Sequence, residues 1–252
     1  MCVTQLRDVV YIVCFGSSTI LRFNATTHQR LTDINVKDLK DPWDIVACEQ
    51  TSQLYVADNW ECVWRVSTDA ADIKRWLPKS SSDTFKPCTL SVTSTRLLMT
   101  PLGTKQLLQL DAGGDELRRV QLPGDMGPHH AVESPTDTFI ISHYNTQLEQ
   151  RQVSEVNTGG KVLRQFTGSR LSSLGETPHV AIDSHGNIFL ADEDNCHILL
   201  LDAQLTPRRV IVDQHQLNDK QPWRLCYREP TGQLLVGLRY QNSVLVFDVL
   251  RR

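Results

Sequence analysis

Three observations predict that this chain of 252 residues is all-β and built of six repeated four-stranded antiparallel sheets, as a propeller or a solenoid. Pro-led segments begin at Pro42, Pro87, Pro128, Pro178 and Pro222, spaced 45, 41, 50 and 44 residues apart, and a strand-rich period in the forties marks a propeller or solenoid. The apolar runs within each period are short, rich in β-branched and aromatic residues and bounded by turn residues, which favours strands over helices. A sixth copy of the second-strand signature, Val10-Tyr11-Ile12-Val13, stands ahead of the first Pro.

The blades are expected at 1–41, 42–86, 87–127, 128–177, 178–221 and 222–252, within one domain spanning 1–252. In the first, Cys2 to Leu6 precedes Val9 to Val13 by only Arg7-Asp8 and is read as the innermost strand of blade one, the alternative being the outermost strand of the last blade. The second runs Pro42 to Ala47, Leu54 to Asp58 and Cys62 to Val66. The third and fourth have drifted but keep Leu97-Leu98-Met99 and Phe139-Ile140-Ile141. The fifth is the clearest: Pro178 to Ile182, a Gly186-Asn187 turn that supplies φ > 0, Ile188 to Asp192, Cys196 to Asp202 and Arg208 to Val212. The sixth supplies three strands, Arg224 to Tyr227, Gln233 to Leu238 and Ser243 to Val249. The ring is expected to close by pairing of the N- and C-terminal segments, since only closure removes exposed sheet edges.

The pattern Pro-x-x-apolar, Gly-Asn, apolar-x-apolar-Ala-Asp and an apolar third strand resembles the NHL-repeat family over essentially the whole chain, with blades two and five the specific matches. That resemblance implies the six-bladed propeller. NHL propellers commonly end tripartite-motif ubiquitin ligases, so it further implies a substrate- or partner-binding domain; the chain has no RING or B-box ligand spacing of its own.

Lys+Arg 26 against Asp+Glu 29 gives a net charge of −3 with no basic block longer than a pair, which supplies no general pull toward nucleic acid. Seven scattered cysteines without a Cys-x-x-Cys point to a reducing, cytoplasmic setting. The longest apolar run, Val9 to Phe15, is far short of the roughly 20 residues of a membrane span. An acid directly precedes it and it aligns with the second strand of every repeat, which opposes reading it as a signal peptide. A closed ring leaves no free edge, so a monomer is expected.

Because strands alternate in direction, the loops before strand one and between strands two and three (the 4–1 and 2–3 loops) open on one face. That face collects Trp43, Asp44, Trp60, His129, His130, His143, Tyr144, His179, Trp223, Arg224, Arg239 and Tyr240. It is richer in Trp, His, Tyr and Arg than the opposite face, whose loops hold ordinary turn residues, and these types mark binding hot spots. The leading expectation is therefore a non-enzymatic module that binds a protein or peptide there, with no cofactor, no metal and no membrane contact.

Two alternatives stand beside it. Some NHL domains bind RNA on an electropositive face, but here Arg224 and Arg239 are set against Asp44, Asp58, Glu61, Asp192, Glu193 and Asp194. In the related amidating lyases, zinc in the channel is held by histidines directly after such prolines on three alternating blades. The matching positions here are Trp43, Cys88, His129, His179 and Trp223, with histidine at two neighbouring blades only. No Gly-x-Ser-x-Gly motif or phosphate-cradling glycine loop is present.

Overall fold

The computed structural model describes residues 1–59, 61–77, 86–167 and 178–249, and it is a ring of six antiparallel sheets. Blade one holds β1 (Cys2–Leu6), β2 (Val9–Val13), β3 (Thr19–Asn24) and β4 (Ile34–Asn35). Blade two holds β5 (Pro42–Cys48), β6 (Gln53–Asp58), β7 (Cys62–Ser67) and β8 (Ile73–Leu77). Blade three holds β9 (Pro87–Thr93), β10 (Arg96–Pro101), β11 (Gln106–Leu110) and β12 (Glu116–Gln121). Blade four holds β13 (Met126–Glu133), β14 (Phe139–Asn145), β15 (Gln150–Val156) and β16 (Val162–Phe166). Blade five holds β17 (Val180–Ile182), β18 (Ile188–Asp192), β19 (His197–Leu201) and β20 (Pro207–Val212). Blade six has three strands among the described residues, β21 (Pro222–Arg228), β22 (Gln233–Leu238) and β23 (Val244–Asp248).

Each seam between neighbouring blades buries its own apolar cluster, because successive side chains of a strand point to opposite faces of its sheet. The outermost strand of each four-stranded blade sends an apolar side chain forward into the next seam. Ile34 does so toward blade two, Leu77 toward blade three, Val120 toward blade four, Phe166 toward blade five and Val212 toward blade six.

Among the described residues, the seam between blades six and one has no such contribution. Its fully buried members are Val3, Val10, Ile12 and Leu235, bordered by half-buried Met1, Leu21, Phe23 and Val244. Among the described residues the chain ends meet by packing against one another and not through a shared strand. β1 is the inner strand of blade one, hydrogen-bonded to β2, and the backbone of Gly237 lies so close to Met1 that an added Cβ would sit 2.6 Å from the Met1 carbonyl oxygen.

The aspartate closing the second strand acts as a turn lock. Asp58 Oδ1 accepts from the Asp41 amide at 2.8 Å and its Oδ2 from Trp64 Nε1 at 3.0 Å, which ties the loop entering blade two to that blade's third strand. No helix among the described residues is long and apolar enough to cross a membrane.

Candidate functional site

The Pro-led inner strands build the site, and a bulge sets which side chain reaches the channel. In β5, β9, β13 and β21 the register with the neighbouring strand slips by one residue just after the Pro. The channel positions are therefore Asp44, Thr89, His130 and Arg224, one residue beyond Trp43, Cys88, His129 and Trp223. In blade five His179 pairs across to Ala191 and takes the same place directly, and in blade one it is taken by Cys2.

These six residues form a belt that stitches blade to blade. Cys2 Sγ donates to the Trp43 carbonyl at 2.9 Å, and Thr89 Oγ1 donates to the His129 carbonyl at 2.6 Å. Asp44 Oδ2 accepts from the Leu90 amide at 2.9 Å, His130 Nδ1 from the Val180 amide at 3.4 Å, and His179 Nδ1 from the Leu225 amide at 3.3 Å. Arg224, the sixth member, instead donates to its own neighbour's carbonyl, Trp223 O, at 3.3 Å, and its Nε lies 3.6 Å from Asp44 Oδ1.

Buried amides at the inner edge of a blade need acceptors, and these side chains supply them. Burial pushes the Asp44 carboxyl up, with Arg224 opposing the rise. Burial lowers His130 to about 3 and His179 well below the usual range, and in both the Arg224 charge adds to the effect.

Asp44, His130 and His179 bring one potential ligand atom each within 4.8 Å of one another, which makes them the metal-ligand candidates among the described residues. Their arrangement does not fit zinc. The two imidazoles are stacked, with centroids 3.7 Å apart and planes at 23°, so their in-plane lone pairs run side by side and do not converge on one ion. Both Nδ1 lone pairs already accept backbone amides, and His130 Nε2 faces the Leu90 carbonyl at 3.3 Å, where it must carry the proton. The Arg224 guanidinium beside Asp44 supplies the positive charge a cation would otherwise bring.

The structure divides the expected site residues. Asp44, His130, His179 and Arg224 are 3%, 3%, 5% and 3% exposed, and belong to the belt and the channel below it, a cavity of about 250 Å³. They are not on a docking surface. His143 is corrected further: it is fully buried inside blade four, its Nε2 2.8 Å from Ser154 Oγ, and has no surface to offer a partner. The alternation of β14 turns its side chain into the sheet packing although the residue stands near the strand end. His129 is half-buried against Arg151, and burial with that positive charge lowers it to about 4. Tyr144 is half-buried with the Arg151 guanidinium 4.6 Å above its ring. Trp60 lies outside the described residues.

Trp43, Trp223, Arg239 and Tyr240 do come together, on the 4–1 and 2–3 loop face where blades one, two and six meet. Trp43 and Trp223 meet edge to face at 6.2 Å. The Arg224 and Arg239 guanidiniums lie 4.6 and 4.9 Å from the Trp223 ring centre, and Arg239 also lies 4.8 Å from Tyr240 while pairing with Glu193. Phe15, which the sequence reading left inside an apolar run, extends the row at 6.3 Å from Trp43. The signal for it is positional: Phe15 follows β2 just as Tyr240 follows β22. Together they line a groove of about 460 Å³, with Phe15 67% and Tyr240 83% exposed.

No family model and no curated protein matches the chain. Solved structures do. Hydrazine synthase from Kuenenia stuttgartiensis superposes with a TM-score of 0.70 at 14% identity, over 98% of this chain and 82% of that one. A catalytically inactive virginiamycin B lyase from Staphylococcus aureus, with quinupristin, gives 0.68 at 14% over 94% and 76%. A nidogen/laminin complex gives 0.70 at 14% over 89% and 83%. Two of these three are enzymes, which overturns the expectation that the chain is not an enzyme: this architecture hosts catalysis, and missing hydrolase or nucleotide motifs do not exclude it. At such identity the likeness shows the fold, and the fold is a six-bladed β-propeller.

Proposed function

We propose that this chain is a recognition module that docks a protein or peptide on the face carrying the 4–1 and 2–3 loops. The observation that carries the reading is the aromatic row Phe15, Trp43, Trp223 and Tyr240 around one groove, two of its rings largely in water. Large exposed aromatics grouped round a concavity match the anchors of protein interfaces. Arg224 and Arg239 are each engaged by a carboxylate, Asp44 and Glu193, which favours a polypeptide over the phosphates of RNA. The nidogen/laminin neighbour shows a propeller of this shape within a protein complex. The Pro-led repeats support placing the chain among NHL propellers, as a single-domain, monomeric, cytoplasmic substrate-binding unit of the tripartite-motif ubiquitin-ligase kind.

The test is selection of binders from a displayed peptide library, followed by titration against a Phe15→Ser/Tyr240→Ser variant. Both side chains are exposed, so thermal unfolding should hold while affinity falls by about 100-fold, the loss of two anchors of roughly 1.4 kcal/mol each. Selected binders that keep their affinity for the double variant would refute the site.

A further inference from the structure

The belt divides the central channel in two. Above it, toward the 4–1 and 2–3 loop face, lies a cavity of about 160 Å³, and below it the cavity of about 250 Å³; His130 and Arg224 line both. The walls of the upper cavity are apolar, formed by Trp43, Cys88, Pro178 and Leu102, the last 39% exposed and so in reach of solvent. Two of its polar groups are committed within the belt. Thr89 Oγ1 donates to the His129 carbonyl, and His130 meets the Val180 amide through Nδ1 and the Leu90 carbonyl through Nε2.

Arg224 is different. It is 3% exposed, and its Nε makes no hydrogen bond among the described residues. Asp44 stands 3.6 Å from that Nε, a loose pairing, and lines only the lower cavity. The upper cavity is therefore bordered by a buried cation and, among the described residues, by no acid. His129, in its wall, lies in the same field: burial first, and then the Arg151 and Arg224 charges, lower it.

We propose that the upper cavity binds a small free monocarboxylate, with its carboxylate against the Arg224 guanidinium and its short apolar body between Trp43, Leu102 and Pro178. The volume sets the body. At roughly 30 Å³ for each water-sized group, the space takes about five or six non-hydrogen atoms, the size of propionate or butyrate. The charge sets the head group. A guanidinium carries five N–H donors in a planar fork that matches a carboxylate, so Arg224 can serve Asp44 from below and a second carboxylate from above. Phosphate is disfavoured, because a dianion beside Asp44 would outweigh the single buried cation. A cationic ligand would meet Arg224 with like charge in a site of low polarity, where that repulsion is strong.

The probe is sodium butyrate, titrated into the intact chain at constant ionic strength and followed by calorimetry and amide NMR shifts. The expected result is 1:1 saturation with a Kd of about a millimolar or tighter, and shifts confined to the amides around Cys88, Leu102, His129 and His179. Butyramide has the same shape without the charge and should bind at least about tenfold more weakly, a comparison that leaves the protein untouched. Leu102→Glu, which sets an acid at the solvent-reaching wall, should weaken butyrate by a similar factor while thermal unfolding holds. Inorganic phosphate should leave the spectrum unmoved. The proposal is overturned by an absence of saturable butyrate binding at tens of millimolar, by butyramide or phosphate binding as well as butyrate does, or by a Leu102→Glu chain that binds butyrate unchanged. Shifts gathered around Phe15 and Tyr240 would overturn it too. Neither of those residues lines the upper cavity, so Phe15→Ser/Tyr240→Ser should leave the butyrate titration unchanged, and the acid site and the peptide face succeed or fail separately.

Discussion

Acid should unfold this propeller through its histidines, well before its carboxylates are fully protonated. His130, His143 and His179 are buried and His129 is half-buried as neutral imidazoles, with burial the leading cause in each: His129 and His143 are lowered to about 4, His130 to about 3, and His179 well below 6.5. In the unfolded chain they take up protons near the ordinary value of about 6.5. The folded value is the lower one, so the unfolded state binds more protons, and stability that is full above about pH 6.5 falls as pH drops toward 4. At pH 5 each of His129, His130 and His143 costs about 2 kcal/mol, because pH 5 is about 1.5 units below the unfolded pKa at 1.36 kcal/mol per unit. Those three would cost about 6 kcal/mol, comparable to the whole stability of a typical domain at roughly 5–15 kcal/mol, and His179 acts in the same direction. Asp44 works in the opposite sense, since its raised carboxyl favours the folded state as it protonates, and it acts at the acid end of the range. Urea unfolding at pH 7.5, 6 and 5 should show the midpoint falling steeply with an unchanged slope. In a His143→Gln chain the dependence should be shallower by one proton. A free energy of unfolding that stays within about 1 kcal/mol between pH 7.5 and 5 would refute the neutral state of these histidines.

Three further outcomes follow from the same geometry. Asp44→Ala should destabilise the fold by about 3–5 kcal/mol because it strands the buried Arg224 charge, and adding Arg224→Met should restore most of that loss in chemical unfolding. Gly237→Ala should cost about 1–3 kcal/mol by forcing a Cβ against the Met1 carbonyl at the closing seam, measured as a lowered melting temperature. Thr89→Val should cost about 1 kcal/mol by removing the hydroxyl that bridges blades three and four, with little change at the aromatic groove.

The candidate site was only partly legible in the chain. Trp43, Trp223, Arg239 and Tyr240 could be placed on one face because loop direction follows strand count, which the period supplies. Phe15 was hidden because its turn reads as the tail of an apolar run, and only its neighbours in the ring show it half out in water beside Trp43. The expected channel positions Trp43, Cys88, His129 and Trp223 lie one residue short of the channel, whereas His179 reaches it. A bulge between Pro42 and Asp44, repeated after Pro128 and Pro222, leaves no mark in composition, yet one extra residue sends the next side chain to the other face.

The amino-acid sequence by itself determined six repeated sheets, because a period in the forties and runs of β-branched residues follow from local chemistry alone. It left open which terminal segment completes the last repeat. Only the tertiary structure decided that Cys2–Leu6 lies inside blade one, that His143 is buried while Phe15 is not, and that Asp44, His130 and His179 serve as acceptors for neighbouring blades. Each of those depends on which residues face each other between blades about 45 residues apart in the chain, a relation fixed by ring closure and strand register and not by any local pattern.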